Sequence, residues 1–251
     1  MEELRTSNVH LIKGDCLEVM KNIKDKSIDM ILCDLPYGTT ACKWDSIIPF
    51  EILWEQYERI IKDNGAIVLT ASQPFTSALI TSKRKLFKYC WYWIKKAPTG
   101  FTFAKNQPMR DVEEILVFYK KKPTYNPQGL KKLEKPIIKR RKYGAQGEIY
   151  NPSYLTEREY KTTHTNYPVN TLYFKPQREG LHPTQKPVEL LKYLIRTYTN
   201  DGETILDNCM GSGSTGQAVL EVGGDRKFIG IEQDDKYFDI AYNRINGYIY
   251  E

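Results

Sequence analysis

Ile28-Asp29-Met30-Ile31-Leu32-Cys33-Asp34-Leu35-Pro36-Tyr37-Gly38 opens as an apolar run of strand length and closes on a turn. An acid ends the run, and Pro36 with Gly38 bends the chain directly behind it. The bend aims a carboxylate, a carbonyl and an aromatic ring at one spot. A planar group carrying an NH2 fits such a spot, because two acceptors meet the amine protons while the ring stacks on its face. An ordinary strand-to-loop turn with a capping Asp carries the same letters, so the flanking sequence must separate the two readings.

Upstream, His10-Leu11-Ile12-Lys13-Gly14-Asp15 reads as a short strand ending in Gly-Asp, with a helix over 16–23. Downstream, a polar loop holding Thr39, Thr40, Lys43, Trp44 and Asp45 leads to apolar spacing at Ile52, Leu53, Tyr57 and Ile60. That spacing predicts a helix ending at Asn64-Gly65. Residues 66–71 read as a buried strand, Pro74 opens a helix through Ile80, and 90–94 and 115–119 are aromatic and β-branched strands. Pro187 then starts a helix to Tyr198, and 204–206 form a strand running into Asp207. A glycine-rich run opens another helix, 227–231 form a strand ending at Glu232, and a helix over 234–245 follows. Strands alternating with helices predict an α/β fold with a mostly parallel sheet covered on both faces. Ligands of such sheets bind beyond the carboxyl ends of the strands. Gly14-Asp15, the 34–37 turn, the 207–213 turn and Glu232 all fall at such ends.

With 251 residues, 41% hydrophobic and 27% charged, the chain can bury one sizeable core. No apolar run reaches the roughly 18 residues that span a bilayer, and Met1-Glu2-Glu3-Leu4-Arg5 is not a signal peptide, so the expectation is a cytoplasmic protein with no membrane partner. The five cysteines (Cys16, Cys33, Cys42, Cys90, Cys209) show no Cys-x-x-Cys spacing, which argues against disulfides and a metal site.

The net charge of +6 is unevenly spread: residues 120–142 hold ten Lys or Arg against the single acid Glu134, while the remainder holds 27 basic and 30 acidic residues. This predicts a phosphate-backbone contact surface made by Lys120, Lys121, Lys122, Lys131, Lys132, Lys139, Arg140, Arg141 and Lys142. Tyr125, Tyr143 and Tyr150 interleave with it, as stacking surfaces for bases would; a solvated lysine-rich loop is the blander alternative. Periodicity fades over 120–180, which suggests an insertion there between a catalytic half, 1–119, and a second half, 181–251. His164, inside it, reads as an ordinary surface residue.

Asp207-Asn208-Cys209-Met210-Gly211-Ser212-Gly213-Ser214-Thr215 is a strand-to-helix turn whose missing Cβ atoms admit a ligand close to the backbone. Glu232 ends the next strand, placed to hold a ribose diol. A Walker loop is absent, and glycines 211, 213 and 216 match the dinucleotide spacing formally, so this turn alone does not choose its ligand.

Just before it stands His182-Pro183-Thr184-Gln185-Lys186-Pro187. Taken together, these motifs resemble those of the β-class S-adenosylmethionine-dependent DNA amino-methyltransferases. In that family an Asp/Ser-Pro-Pro-Tyr/Phe loop comes first, then a target-recognition region, then His-Pro-Thr-Gln-Lys-Pro, then Asp-Pro-Phe-x-Gly-Ser-Gly. The order holds over nearly the whole chain, with Leu35, Asn208-Cys209 and Ser214 as departures. The resemblance implies a circularly permuted Rossmann-like methyltransferase fold with the target-recognition region inserted. It also implies S-adenosyl-L-methionine held by Asp15, Cys16, Asp34, His182, Thr184, Lys186, Asp207, Gly211, Ser212, Gly213 and Glu232, with Asp15 and Cys16 bordering the adenine. Asp34 and the Pro36 carbonyl would accept the amine protons of a flipped base, and Tyr37 would stack on it. Trp44 and Phe75 stand near this loop as either site or packing residues. No metal is called for. Double-stranded DNA is the implied partner, with room for a cognate restriction endonuclease and a homodimer. An initial Asp is commoner among the family's adenine enzymes, so N6-adenine methylation is expected first and N4-cytosine methylation second. An RNA methyltransferase and an idle DNA-binding protein are further alternatives. No Pro-Cys pair is present, which disfavours cysteine-mediated cytosine C5 chemistry.

Overall fold

A computed structural model describes residues 3–39, 45–141, 158–175 and 185–250. The chain packs as two compact units, Met1–Asn126 with Asn170–Glu251, and Pro127–Val169. The strands in chain order are β1 (Glu3–Arg5), β2 (Val9–Lys13), β3 (Ile28–Asp34), β4 (Ile61–Ala71), β5 (Phe87–Thr99) and β6 (Arg110–Phe118), followed by β7 (Lys131–Arg141), β8 (Arg158–Thr165), β9 (Thr171–Tyr173), β10 (Thr204–Asp207) and β11 (Lys227–Glu232). The helices are α1 (Cys16–Met20), α2 (Phe50–Ile60), α3 (Phe75–Ser82), α4 (Val188–Tyr198), α5 (Ser214–Val222) and α6 (Asp235–Tyr250).

In the larger unit, β2, β11, β10, β3 and β4 lie side by side and parallel. β6 then pairs antiparallel with β4 and β5 antiparallel with β6, while β1 and β9 close the two edges. Strand alternation sends successive side chains to opposite faces. Met30, Leu32, Val68, Val117 and Ile205 pack under α4, α5 and α6 through Leu190, Leu194, Val219, Phe238 and Ile245. Ile31, Cys33, Leu69, Leu116 and Leu206 pack on the other, lower face against Val19, Met20, Leu53, Tyr57, Phe75 and Leu79 of α1, α2 and α3. The result is a mostly parallel sheet of Rossmann-like type, buried on both faces.

Two expectations need correction. The helix expected to end at Asn64-Gly65 ends at Ile60, and 61–65 begin β4 instead. Gly65 serves a register shift, with Ile28 opposite Ile61 but Met30 opposite Ala66. A Cβ on Gly65 would stand 2.8 Å from the Asp29 carbonyl, so the glycine is required by close backbone approach. The insertion expected over 120–180 is wider than the compact unit 127–169. Lys121 and Asn126 bond the larger unit, through Asp63 and the Thr197 carbonyl, and β9 pairs with β5. The described part of the smaller unit is a two-stranded antiparallel ribbon of β7 and β8, running from Lys131 opposite Thr165 to Arg141 opposite Arg158.

Among the described residues, no helix is long and apolar enough to cross a membrane, and no cluster of His, Cys, Asp or Glu could hold a metal ion.

Candidate active site

The carboxyl ends of β2, β11, β10, β3 and β4 share one edge of the sheet. Because β6 runs the other way, its N-terminal end reaches that same edge, with Glu114 opposite Ala71. A cavity of about 660 Å³ opens there, and its lining includes Asp15, Cys16, Asp34, Pro36, Tyr37, Lys186, Asp207, Gly211, Ser212 and Glu232. Of the other expected site residues, Gly213 is not part of this lining, and His182 and Thr184 lie outside the described residues, as do Trp44 and Lys142.

Asp34 sits at the end of β3 with both oxygens engaged. Oδ1 accepts from the Tyr37 hydroxyl at 2.8 Å and from the Thr70 hydroxyl, and Oδ2 accepts from Lys186 Nζ at 2.6 Å. Lys186 also pairs with Glu113 Oε1 at 2.8 Å, and Lys95 pairs with Glu113 Oε2 at 2.6 Å. The Lys186 and Glu113 side chains are each 7% exposed, so the four charges form a largely buried chain, Lys95 to Glu113 to Lys186 to Asp34. Burial pushes Lys186 toward neutrality, but Asp34 and Glu113 outweigh it and raise its pKa above the ordinary lysine range. Burial likewise pushes Glu113 up, and the two lysines outweigh it and bring it well below the ordinary range. Both therefore stay charged at neutral pH. Lys186 was expected on the cofactor, and the structure places its ammonium against Asp34. Glu113, Thr70 and Lys95 escaped the sequence reading, since each is brought in by strands remote from any motif.

Tyr37 stacks on Phe75 with ring centroids 5.1 Å apart and planes at 24°, and the Lys186 ammonium stands 5.7 Å from its centroid. Burial, then the neighbouring Asp34 and Glu113, push the Tyr37 hydroxyl well above its usual pKa, which keeps it a neutral donor. The backbone behind it is clamped by Asp45, whose two oxygens accept from Gly38 N at 2.8 Å and Thr39 N at 2.9 Å. Gly38 holds φ +67, and a Cβ there would crowd Ile47 at 2.9 Å. Leu35, in the place of the family's usual first proline, is 3% exposed within the lower-face core.

At the end of β10, the strand next to β3, Asp207 anchors the glycine turn, with Oδ1 accepting from Cys209 N at 3.1 Å and Oδ2 from the Thr215 hydroxyl at 2.6 Å. Glu232 accepts from Gly211 N and Asp234 N, both at 2.9 Å, so its carboxylate ties β11 to the turn. Gly213 holds φ +79, and a Cβ there would stand 3.0 Å from that of Ala241 on α6. Asp15 caps α1, accepting from Leu17 N at 2.8 Å. The unusual Asn208-Cys209 pair is accommodated locally: Asn208 Oδ1 accepts from the buried Tyr57 hydroxyl at 2.5 Å, and Cys209 joins the lower-face core beside Cys16.

The basic residues divide between the two units. Lys120 donates to the Glu58 carbonyl at 3.0 Å and Lys121 pairs with Asp63 at 3.0 Å on the larger unit, which also carries Lys122. Lys131, Lys132, Lys139, Arg140 and Arg141 lie on β7 of the ribbon, with His164 on β8 opposite Lys132.

The sequence matches the family described as DNA methylase over residues 28–243. It is 29% identical to the DNA adenine methyltransferase YhdJ of Escherichia coli, covering 94% of this chain and 82% of that protein. It is 25% identical to the type II methyltransferase M2.MboI of Moraxella bovis, over 94% and 87% of the two chains. Among solved structures, the M1.HpyAVI complex with SAM superposes with a TM-score of 0.64 at 25% identity, covering 95% of this chain and 99% of the other. The cytosine-N4-specific PvuII DNA methyltransferase shares the fold, with a TM-score of 0.66 at 16% identity over 97% and 92%. The match of 28–243 spans most of the chain, which therefore belongs to the DNA methylase family.

Proposed function

We propose that the protein transfers a methyl group from S-adenosyl-L-methionine to the N6 amino group of adenine in duplex DNA. The observation that carries this reading is Asp34, fixed by Lys186, Thr70 and Tyr37 on a cavity whose wall also includes the glycine turn. The wall suits the donor: glycines allow close approach, Glu232 offers acceptor lone pairs to a ribose diol, and the acidic lining favours a sulfonium cation. When bound, that group supplies an electrophilic methyl.

The protein's own work is to present the amine. An exocyclic amine is a poor nucleophile because its lone pair is delocalised into the ring, so it must be held in line and allowed to become tetrahedral. Each carboxylate oxygen has two lone pairs, so Asp34 can accept from the amine while keeping its partners. The Pro36 carbonyl is the second acceptor. Held by three partners, Asp34 is a fixed acceptor, which suffices because the amine turns acidic only as its methylated cation forms. Tyr37, backed by Phe75, is the ring on which the flipped base stacks.

The β7–β8 ribbon fits the width of a major groove, and Lys131, Lys132, Lys139, Arg140 and Arg141 supply phosphate contacts along it. The relatives named as type II methyltransferases support a role in DNA modification, which leaves room for a cognate restriction endonuclease. The likeness to an adenine enzyme over 94% of the chain favours adenine over cytosine. The test is transfer of labelled methyl to duplex DNA with RNA as competitor: label in DNA that Asp34→Ala abolishes supports the reading, and label in RNA alone refutes it.

A further inference from the structure

Beyond the cavity, β5 and β6 run on as a hairpin whose last pairing is Thr99 with Arg110. The base of this hairpin is cavity wall, formed by Lys95, Pro98, Thr99, Arg110 and Glu113. Its tip holds two large aromatic side chains in solvent, Phe101 at 82% and Phe103 at 57% exposure. They are not carried by slack chain. Gly100 turns at φ +92, and Phe103 N, Ala104 N and Asn106 N donate to the carbonyls of Gly100, Phe101 and Phe103 at 3.0, 3.0 and 2.9 Å. An ordered turn that keeps two phenylalanines in water leaves apolar surface for a partner to cover. The chemistry of that partner is written in the rest of the segment: residues 96–110 hold Lys96, Lys105 and Arg110 and no acid. A polyanion with apolar slots between flat rings fits, and duplex DNA has both.

We propose that Phe101 and Phe103 form a wedge that enters the base stack where the target nucleotide leaves it, holding the duplex open while Asp34 and Tyr37 receive the base. The inference rests on the reading of the protein as a duplex-DNA methyltransferase. A wedge acts on the opening of the pair and not on the transfer itself, so its loss is felt only where a base must be unpaired.

The test compares wild type with Phe101→Ala/Phe103→Ala on two oligonucleotide duplexes carrying the mapped methylation site, one with the target base paired and one with it opposite an abasic position. Both substituted residues are exposed, and unchanged thermal melting with unchanged S-adenosyl-L-methionine binding checks that the fold is kept. The expected result is a loss of about tenfold or more in kcat/KM on the paired duplex and agreement within about twofold on the abasic one. The rise in 2-aminopurine fluorescence at the target position should fall in parallel. Equal activity on the paired duplex overturns the wedge. So does an equal loss on both duplexes, and so does a change from dimer to monomer in sedimentation, which would make the tip an interface between copies. Failure of wild type to methylate either duplex refutes the DNA-methyltransferase reading itself, a result distinct from all of these.

Discussion

Lys186 Nζ lies 2.6 Å from Asp34 Oδ2 although the two residues are 152 positions apart in the chain, and the same nitrogen is 2.8 Å from Glu113 Oε1. One ammonium thus joins the 34–37 turn to the motif that leads into α4 and bridges two neighbouring carboxylates. Replacing it with an apolar side chain leaves those carboxylates facing each other. Lys186→Met should therefore destabilise the protein by about 3–5 kcal/mol, as removal of one partner from a buried ion pair does. Without Lys186, only Lys95 opposes the effect of burial on Glu113, which then binds protons more readily, so the acidic limb of the pH–rate profile should move to higher pH. Urea unfolding and a pH series of kcat check both; an unmoved acidic limb would show that the lysine does not tune the site.

The Tyr37 ring and its hydroxyl have separable duties. Tyr37→Phe keeps the stack on Phe75 and deletes one hydrogen bond to Asp34, so about a three- to tenfold fall in kcat/KM on DNA is expected. Tyr37→Ala removes the stacking surface as well, and a loss of about a hundredfold should follow. Equal losses in steady-state kinetics would assign the whole effect to the hydroxyl.

Asp207 gives a pH signature of folding. Burial raises its carboxyl to about 6, against the opposing hydrogen bonds from Thr215 and Cys209. Since the unfolded value is about 3.9, the folded state binds the proton more tightly. The stabilisation this brings is complete below about pH 4 and is lost as pH rises through about 6. Asp207→Asn has no such titration. Its stability relative to wild type should rise by about 2 kcal/mol between about pH 4 and 7, by denaturant unfolding at several pH values. A constant difference across that window would contradict an ionisable group buried at this turn.

Cys16 lines the cavity and is half-buried, and the Cys209 thiol bonded to it draws its pKa below the usual thiol range, whereas burial pushes Cys33 up to about 12. Thiolate is the reactive form. Brief iodoacetamide treatment followed by peptide mass mapping should label Cys16 well before Cys33, and S-adenosyl-L-methionine should protect Cys16. Labelling of Cys16 at the same rate with and without it would remove this residue from the cofactor wall.

Much of this architecture is written locally. The 28–34 run, the glycine turn and the Glu232 strand each carry their periodicity and their punctuation within a dozen residues, so their strand ends could be placed from the letters alone. Glu113 could not be, because its place beside Asp34 depends on β6 running antiparallel to β4, and strand direction is a tertiary property. Asp45 reads in the sequence as one polar letter in a loop, because its role, accepting from the backbone of Gly38 and Thr39, exists only in the folded turn. Asn64-Gly65 misled for a simpler reason: a helix stop and a bulge both call for glycine, and only the pairing of β3 with β4 tells them apart.

The most direct measurement is the identity of the product. Purified protein is incubated with labelled S-adenosyl-L-methionine and mixed-sequence duplex DNA, and the digested nucleosides are resolved. Label in N6-methyladenine, abolished by Asp34→Ala, is the result expected here; label in N4-methylcytosine, or none in DNA while the cofactor still binds, would contradict it.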